Sequence, residues 1–364
     1  MNSERPYRLA WYGCDLRTGG IVEDLPSLKT PALSRRLGQF TTAQFDLQLG
    51  GAPPDWVAAT AHGRSALVAV DTLTDAPIWA GSVLRRSRGS SLTSTLSCAT
   101  LEAYLDRRYT GTRTLTGADQ AMVIETLATN LLTNAPPFII DAPPTGVSMD
   151  YSVLDSADRT VLSALQEVMG MDGGPEWTVD VEWADASRSA FRFPLRVRPR
   201  IGTQTTEPEA TFDFPGSVSA YTQEESYEDG KGATAALARG EGEGDARLSS
   251  TSYVATDLLA SGWCQYVHRY TPASGLTDPA QLNSHAAAAL ALMKTGASAW
   301  SVTGVASQAP RLGTDWGIGD TVRLEVAPGI SPGHPEGASV TARAWAWDLD
   351  VANDQITPIL VEED

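Results

Sequence analysis

Three residue types that often carry chemistry are scarce in this chain. Cysteine occurs only as Cys14, Cys98 and Cys264, histidine as His62, His268, His285 and His334, and lysine as Lys29, Lys231 and Lys294. An odd number of widely spaced cysteines with no CxxC argues against a disulfide framework and against a thiolate metal site, leaving small buried thiols as the expectation. The histidines show no HxH or HExxH pairing, the spacing by which zinc sites announce themselves, so no metal or other cofactor is expected. The longest apolar stretch, residues 286–293, falls far below the ~18 residues a membrane-spanning helix needs. The opening Met1-Asn2-Ser3-Glu4-Arg5-Pro6 lacks the basic-then-apolar order of a signal peptide, so a soluble chain made in a cytoplasm is expected. Positive charge is short as well: 27 basic against 44 acidic residues give a formal net charge of −17. That field repels a phosphate backbone, and sequence-specific nucleic-acid binding is not expected.

What is present fits an ordinary globular protein. At ~100–200 residues per domain, 364 residues suggest two domains. With 42% apolar and 20% charged residues the chain can bury a substantial core. The 32 glycines and 22 prolines recur along the whole length, which suits many short strands joined by turns and disfavours a helical bundle. The dominance of arginine over lysine, together with abundant alanine, reads as a GC-rich coding bias.

The first hundred residues read as β, with strands expected over 7–12, 21–22, 43–49, 66–70 and 78–84. Turn strings separate them, among them Gly50-Gly51-Ala52-Pro53-Pro54 and the stretch from Asp71 to Pro77. From Gly117 the period lengthens: Met122, Ile124, Leu127, Leu131 and Leu132 fall on one helical stripe, opened at Asp119 and stopped at Asn134-Ala135-Pro136-Pro137. A second helix is expected over 158–169, capped by Ser156 or Asp158 and closed by Gly170. β signal returns over 177–183 and 191–197, residues 199–208 read as a linker, and 220–245 as a polar strand pair with a flexible rim. Asp278-Pro279 supplies the cap and first-turn proline of a helix over about 278–295, ended by Gly296. Strands over 300–305, 321–326, 339–349 and 355–361 complete the chain, with Gly317-Ile318-Gly319-Asp320 as one of the turns. The expected fold class is mainly β with α insertions (α+β): two tube-like antiparallel β-barrel domains with a helical insertion. The expected boundaries are a first barrel over 1–115, the insertion over 116–172, a β segment over 173–205 completing or flanking the first barrel, and a second barrel with one helix over 206–364.

Catalytic constellations are hard to find. Gly63-Arg64-Ser65 and Gly296-Ala297-Ser298 approach the nucleophile elbow GxSxG, but both lack its closing glycine. Gly240-Glu241-Gly242-Glu243-Gly244 lacks the lysine and Ser/Thr of a phosphate loop, and its glutamates would repel phosphate. Glu241, Glu243 and Asp245 could offer oxygens to Ca²⁺, yet the string departs from the DxDxDG pattern of a calcium loop. Asp150, Glu182 and Asp348 are nominal candidates for a glycosidase pair, with nothing to single them out. Ten tryptophans invite a sugar-stacking reading, above all Trp345-Ala346-Trp347 with two rings expected on one strand face, although core packing is the commoner use.

Several strings, taken in order, resemble the baseplate hub or tail-associated minor tail proteins of tailed bacteriophages. They are AALARGEGEGDARL from Ala235, Trp263-Cys264-Gln265-Tyr266, the alanine-rich helix, the run from Leu312 to Leu324 (LGTDWGIGDTVRL), TARAWAWDLD from Thr341 and DQITPILV from Asp354. Nearer the start, AWYGCDLRTGGIVEDLP from Ala10, FDLQL from Phe45 and PIWAGSVLR from Pro77 are similar to the first barrel of such hubs.

The resemblance implies a structural virion protein with no catalytic residues. It implies a homotrimer in which two barrels per subunit make a pseudo-sixfold ring around the DNA channel. That ring would adapt the sixfold tail tube and distal tail protein to a threefold central fibre or spike, beside the tape measure protein and other tail-tip proteins. The expected location is the virion tail tip, after synthesis in the bacterial host's cytoplasm. An acidic wall would let DNA pass without holding its phosphates, and Glu224, Glu225, Glu241, Glu243 and Asp245 are the candidate interface or lumen residues. The chain ends directly after its last expected strand, so receptor recognition and wall degradation are expected on other proteins, and a siphophage-like tip is preferred. The rival readings are a carbohydrate-binding tail or cell-surface protein using tryptophan-rich β surfaces, and a peptidoglycan-cleaving tail enzyme.

Overall fold

The structure, a computed structural model, describes residues 6–171, 173–240, 242, 244, 247–272 and 278–362. The chain opens with β1 (Leu9–Asp15), β2 (Ile21–Asp24), β3 (Leu28–Lys29), β4 (Leu33–Arg36) and β5 (Thr42–Gln48). After the short helix α1 (Trp56–Ala59) come β6 (Ser65–Asp71), β7 (Ala76–Ser87) and β8 (Thr93–Thr100). Next are α2 (Glu102–Leu105), β9 (Arg113–Asp119), α3 (Gln120–Ala128), β10 (Phe138–Asp141), β11 (Ser148–Val153) and α4 (Val161–Met169). The middle holds β12 (Glu176–Val179), β13 (Glu182–Trp183), β14 (Phe191–Arg198), β15 (Thr211–Phe214) and β16 (Val218–Ser226). Then β17 (Ala235–Ala238), β18 (Tyr253–Val254), α5 (Thr256–Ala260), β19 (Val267–Tyr270) and α6 (Pro279–Met293) lead to the last four strands. These are β20 (Ala297–Val305), β21 (Thr321–Val326), β22 (Ala338–Asp350) and β23 (Gln355–Val361). The protein is mainly β with α elements, as the sequence predicts.

Contacts divide the chain into two units. The larger gathers residues up to 165, 175–222 and 301 onward; the smaller gathers 166–174 and 223–300. The larger unit contains a seven-stranded antiparallel sheet in the order β2-β1-β6-β7-β8-β5-β3. Trp11 on β1 meets Phe45 on β5 with ring centroids 5.0 Å apart, and both meet Trp79 on β7. β1 and β5 stand four strand steps apart, about 19 Å across a flat sheet. The ring contact therefore requires a strongly curled sheet, with its aromatic core on the concave side. Curling demands small residues where backbones or rings crowd: a Cβ on Gly81 would lie 2.5 Å from the Trp79 ring, and one on Gly13 2.5 Å from the Ala59 carbonyl of α1.

A second sheet, in the order β15-β21-β22-β23-β20-β16, closes the chain. Along β22, residues 338–343 pair with β21 and residues 346–349 with β4, so an N-terminal strand completes the C-terminal sheet. β14 pairs with β12 and β13 on one side and, in parallel, with β10 on the other. Its alternation is broken only at the buried Pro194: Phe191, Phe193, Leu195 and Val197 are buried while Arg192, Arg196 and Arg198 are only half-buried. In the smaller unit, α6 lies on a three-stranded sheet β18-β17-β19, packing Leu282 and Ala286 against Ala238, Tyr253 and Tyr270. Asp278 caps α6 by accepting from the Ala280 amide, with Pro279 in the first turn.

Local expectations were met unevenly. Of the stripe read for the first helix, Ile124, Leu127 and Leu131 are buried, whereas Met122 and Leu132 at its ends are exposed and Val123 is buried in addition. α4 begins at Val161, and its cap is Thr160, whose hydroxyl accepts from the Ser163 amide; Asp158 sits before it in a left-handed turn at φ +48°. Residues 116–172 carry strands β10 and β11 as well as helices. The alternating run 177–183 is broken at Asp180 and Val181 into β12 and β13. The stretch read as a linker, 199–208, has no regular element but is pinned: Ile201 and Pro208 are buried.

Candidate functional site

Two arginines of the larger unit are buried, and each clamps a carboxylate from a distant part of the sequence. Arg311, in the loop before β21, donates through Nε and Nη2 to the two carboxyl oxygens of Asp71 at the end of β6, at 2.5 and 2.7 Å. Its guanidinium lies 4.1 Å from the Tyr7 ring centroid, and the Tyr7 hydroxyl accepts the Leu312 amide at 2.7 Å. Arg343 on β22 donates to both oxygens of Glu176 on β12, at 2.8 and 2.6 Å, and also to the carbonyls of Gly319 and Ile201. Arg35 on β4, largely buried, reaches Glu102 at 3.5 Å, Asp180 at 3.2 Å, Thr178 Oγ1 and the Val179 carbonyl. Burial alone would raise the pKa of Asp71 and Glu176, but the hydrogen bonds from Arg311 and Arg343 hold both carboxyls below the ordinary range. At Glu102 burial wins over Arg35, and its carboxyl is pushed up.

Beside the Arg343 clamp the Gly317-Ile318-Gly319-Asp320 turn forms a seam with residues 201–204. Asp320 accepts the Gly317 amide through Oδ2 at 2.7 Å and the Thr203 amide through Oδ1 at 2.6 Å. Gly319 (φ +86°) and Gly202 (φ +80°) lie back to back. A Cβ on Gly202 would stand 2.3 Å from the Gly319 carbonyl carbon, and one on Gly319 2.4 Å from the Ile201 oxygen. Only glycine fits at either place. The turn thus grips residues 201–204 against β22, and the motif read from the sequence has a packing role.

Two clefts among the described residues do not converge on a reactive group. One, of about 450 Å³, is lined by Arg35, Asp180, Glu182, Arg196, Arg198 and Trp347. Its charges are engaged with one another or nearby: Arg196 pairs with Asp180, Glu182 and Asp141, and Arg198 with Asp141. The other, of about 750 Å³, presents Glu209, Asp213, Ser217, Ser307, Thr314 and Asp315, and Asp315 accepts the Arg311 amide. Among the described residues no group of three or more His, Cys, Asp and Glu side chains is placed to hold a metal ion.

The residues singled out from the sequence are scattered. Glu224 and Glu225 are exposed on β16, with Glu224 3.0 Å from Lys231; Glu241, Glu243 and Asp245 lie outside the described residues. Ser65 is buried and donates to the Ala58 carbonyl, and Ser298 accepts from Gln223. Asp150 accepts the Gly117 amide, Glu182 pairs with Arg192 and Arg196, and Asp348 with Arg36. His334 bonds the Tyr221 hydroxyl, His285 is buried on α6, His268 stacks on Tyr270, and His62 is exposed. Of the tryptophans, Trp11, Trp79, Trp177, Trp300, Trp316 and Trp347 are buried. A bulge at Trp345 breaks the alternation of β22, so Trp347 enters the core while Trp345 is half-buried under the Arg343 guanidinium. Sequence reasoning missed the clamps, because nothing in the spacing of Asp71 and Arg311, 240 residues apart, links them.

No family model and no curated protein matches this chain. Solved structures do match, among them phage tail proteins. The tail protein from Neisseria meningitidis MC58 superposes with a TM-score of 0.61 at 13% identity, covering 98% of this chain and 97% of that one. The 43 kDa tail protein of prophage MuSo2 from Shewanella oneidensis gives 0.59 at 11% identity and 98% of both chains. Prophage tail protein gp18 from Listeria monocytogenes EGD-e gives 0.53 at 10% identity, covering 99% and 95%. The chain therefore has the fold of phage tail proteins over nearly its whole length, as the sequence resemblance implies.

Proposed function

We propose that this chain is the hub subunit of a phage tail tip: a structural virion protein that assembles as a homotrimeric ring around the DNA channel. The observation that carries the reading is the match to tail proteins end to end, with nothing substantial left over on either side. Two sheets of seven strands within one chain, the first demonstrably curled, support the further step. In this reading residues 1–115 and 206–364 supply two tube-like barrels, 173–205 completes or flanks the first, and 116–172 decorates the outside. Three copies then present six barrels to the tail tube and distal tail protein and three equivalent faces to a fibre or spike, beside the tape measure protein. The work of such a subunit is to hold shape, and the arginine clamps and glycine seam are suited to that. The carbohydrate-binding alternative retains little surface, since six of the ten tryptophans are buried.

Native mass spectrometry with negative-stain imaging tests the proposal. A particle of three chains with a central hole is expected. A strict monomer at high concentration that binds host-wall polysaccharide would overturn it.

A further inference from the structure

One face of the short sheet around β14 is made of charge. Paired residues on neighbouring strands point to the same side. Arg192, Arg196 and Arg198 therefore share a face with Glu182 of β13, Glu176 of β12 and Asp141 of β10. The opposite face, with Phe193, Leu195 and Val197, is core. A charged face is normally left to water, yet this one is partly covered: Arg35 of β4 reaches Thr178 on it, and Arg343 of β22 binds its Glu176. Taking ions out of water is costly even when they are paired.

The cleft of about 450 Å³ opens on this face, wholly within the larger unit. Its size is that of a small-molecule site, ~300–1,000 Å³. Its walls supply four arginines, Arg35, Arg196, Arg198 and Arg200, against two acids, Asp180 and Glu182. Ile78, Leu312, Ile318 and Trp347 add an apolar lining. The charges are paired but not balanced. Arg196 and Arg198 share Asp141, Arg35 and Arg196 share Asp180, and Arg192 and Arg196 share Glu182, so four arginines divide three carboxylates. A fourth acid, Glu102, lies 3.5 Å from Arg35, but burial pushes its carboxyl up and weakens it as a counter-charge. Donors are left over as well. Arg198 spends three N–H groups on Asp141 and the Val197 carbonyl. Its Nε donates to no atom among the described residues and is not sealed off from solvent.

We infer that this cleft binds a small organic anion, whose carboxylate or phosphate head meets Arg198 and whose apolar body lies against the lining that includes Trp347 and Ile318. The head supplies the counter-charge that the walls lack, through charge-assisted bonds of the stronger kind. The body covers apolar lining that a bare inorganic ion would leave to water. In a chain of net charge −17, only such a local excess of positive charge draws an anion in. The inference goes beyond the hub reading and does not rest on it.

Isothermal titration of the full chain at constant ionic strength tests it, with phenyl phosphate, benzoate and inorganic phosphate as probes. At least one aromatic probe should bind one per chain, and about ten-fold tighter than inorganic phosphate because its ring is buried. Whichever aromatic probe binds tighter identifies the head group. Arg198→Met should weaken that binding about ten-fold or more, while Arg85→Met, which removes an exposed arginine outside the cleft, should leave it unchanged. Should Arg198→Met fail to fold, judged by near-ultraviolet circular dichroism and its melting curve, Arg200→Gln replaces it, since Arg343 still holds Glu176. No saturable binding of either aromatic probe up to about 10 mM overturns the inference. So does binding that Arg198→Met retains in full, or that Arg85→Met loses equally, which marks general attraction to arginine. Inorganic phosphate binding as tightly as phenyl phosphate overturns it too, leaving ion pairing alone. None of these results bears on ring assembly, so the hub reading stands or falls by its own test.

Discussion

Replacing Arg311 by methionine removes one side of the Asp71 clamp while nearly conserving the length of the side chain. What remains is a carboxylate with no exposed surface, still accepting from the Leu73 amide and the Thr74 hydroxyl but from no cation. Removing one partner of a buried pair costs about 3–5 kcal/mol, because the other charge is left uncompensated. Arg343→Met should cost less, about 1–3 kcal/mol, since Arg200 still donates to Glu176 at 2.9 Å and Gln204 still donates to the Ile201 and Gly319 carbonyls. The order of the two variants is thus fixed by what each leaves behind.

The same reasoning gives a pH signature. In the wild type Asp71 is held below its unfolded value, so its contribution is complete at neutral pH and is lost only as pH falls through that lowered value. In Arg311→Met burial, the largest influence on Asp71, is opposed only by the Leu73 amide and the Thr74 hydroxyl and raises the carboxyl, so the charged form destabilises the variant at neutral pH and protonation relieves it. The deficit should shrink between pH 7 and pH 4.5, and D71N/R311M should recover much of it at pH 7. Urea unfolding followed by tryptophan fluorescence, which reports on Trp11 and Trp79 near this clamp, measures all three. A deficit under about 1 kcal/mol at pH 7, the size of a surface pair, would refute the argument. So would a larger deficit for Arg343→Met, or one that does not change with pH.

Gly319→Ala should cost more than about 1 kcal/mol in the same assay, because φ is +86° and the new methyl would meet the Ile201 oxygen at 2.4 Å. Thr160→Ala should cost about 1 kcal/mol as the loss of a helix cap, whereas Asp158→Ala should cost clearly less. Of the three thiols, Cys264 alone should react with a disulfide reagent in the native protein at pH 8, since Cys14 and Cys98 are buried and burial pushes their thiols up; all three should react in denaturant.

The elements that could be read in the sequence are those whose signal is local. β21 and β23 fall on the expected residues because each alternates over six or seven positions between clear turns. α6 was legible from Asp278 and Pro279. β4 was not: Leu33-Ser34-Arg35-Arg36 has no alternation, and its partner strand lies more than 300 residues on. β10 follows directly on a proline-rich stop, and its register is set by the parallel neighbour β14. Thr160 and Asp158 are both good caps by type, and only the backbone decides between them. The seam was half visible, for the Gly317–Asp320 turn reads as a turn while Gly202, which it requires, lies in what looks like a linker.

The composition acquires its meaning at the clamps. The chain has 24 arginines and three lysines, and coding bias explains the ratio without explaining the positions. Arg311 and Arg343 each bind both oxygens of a buried carboxylate, and Arg343 reaches two carbonyls as well. A lysine ammonium, as a point charge, cannot reproduce that planar fork. Each clamp buries one positive and one negative charge together, so the formal net charge of −17 is carried by the rest of the molecule. In the proposed ring, a net negative exterior would let DNA phosphates pass without binding them.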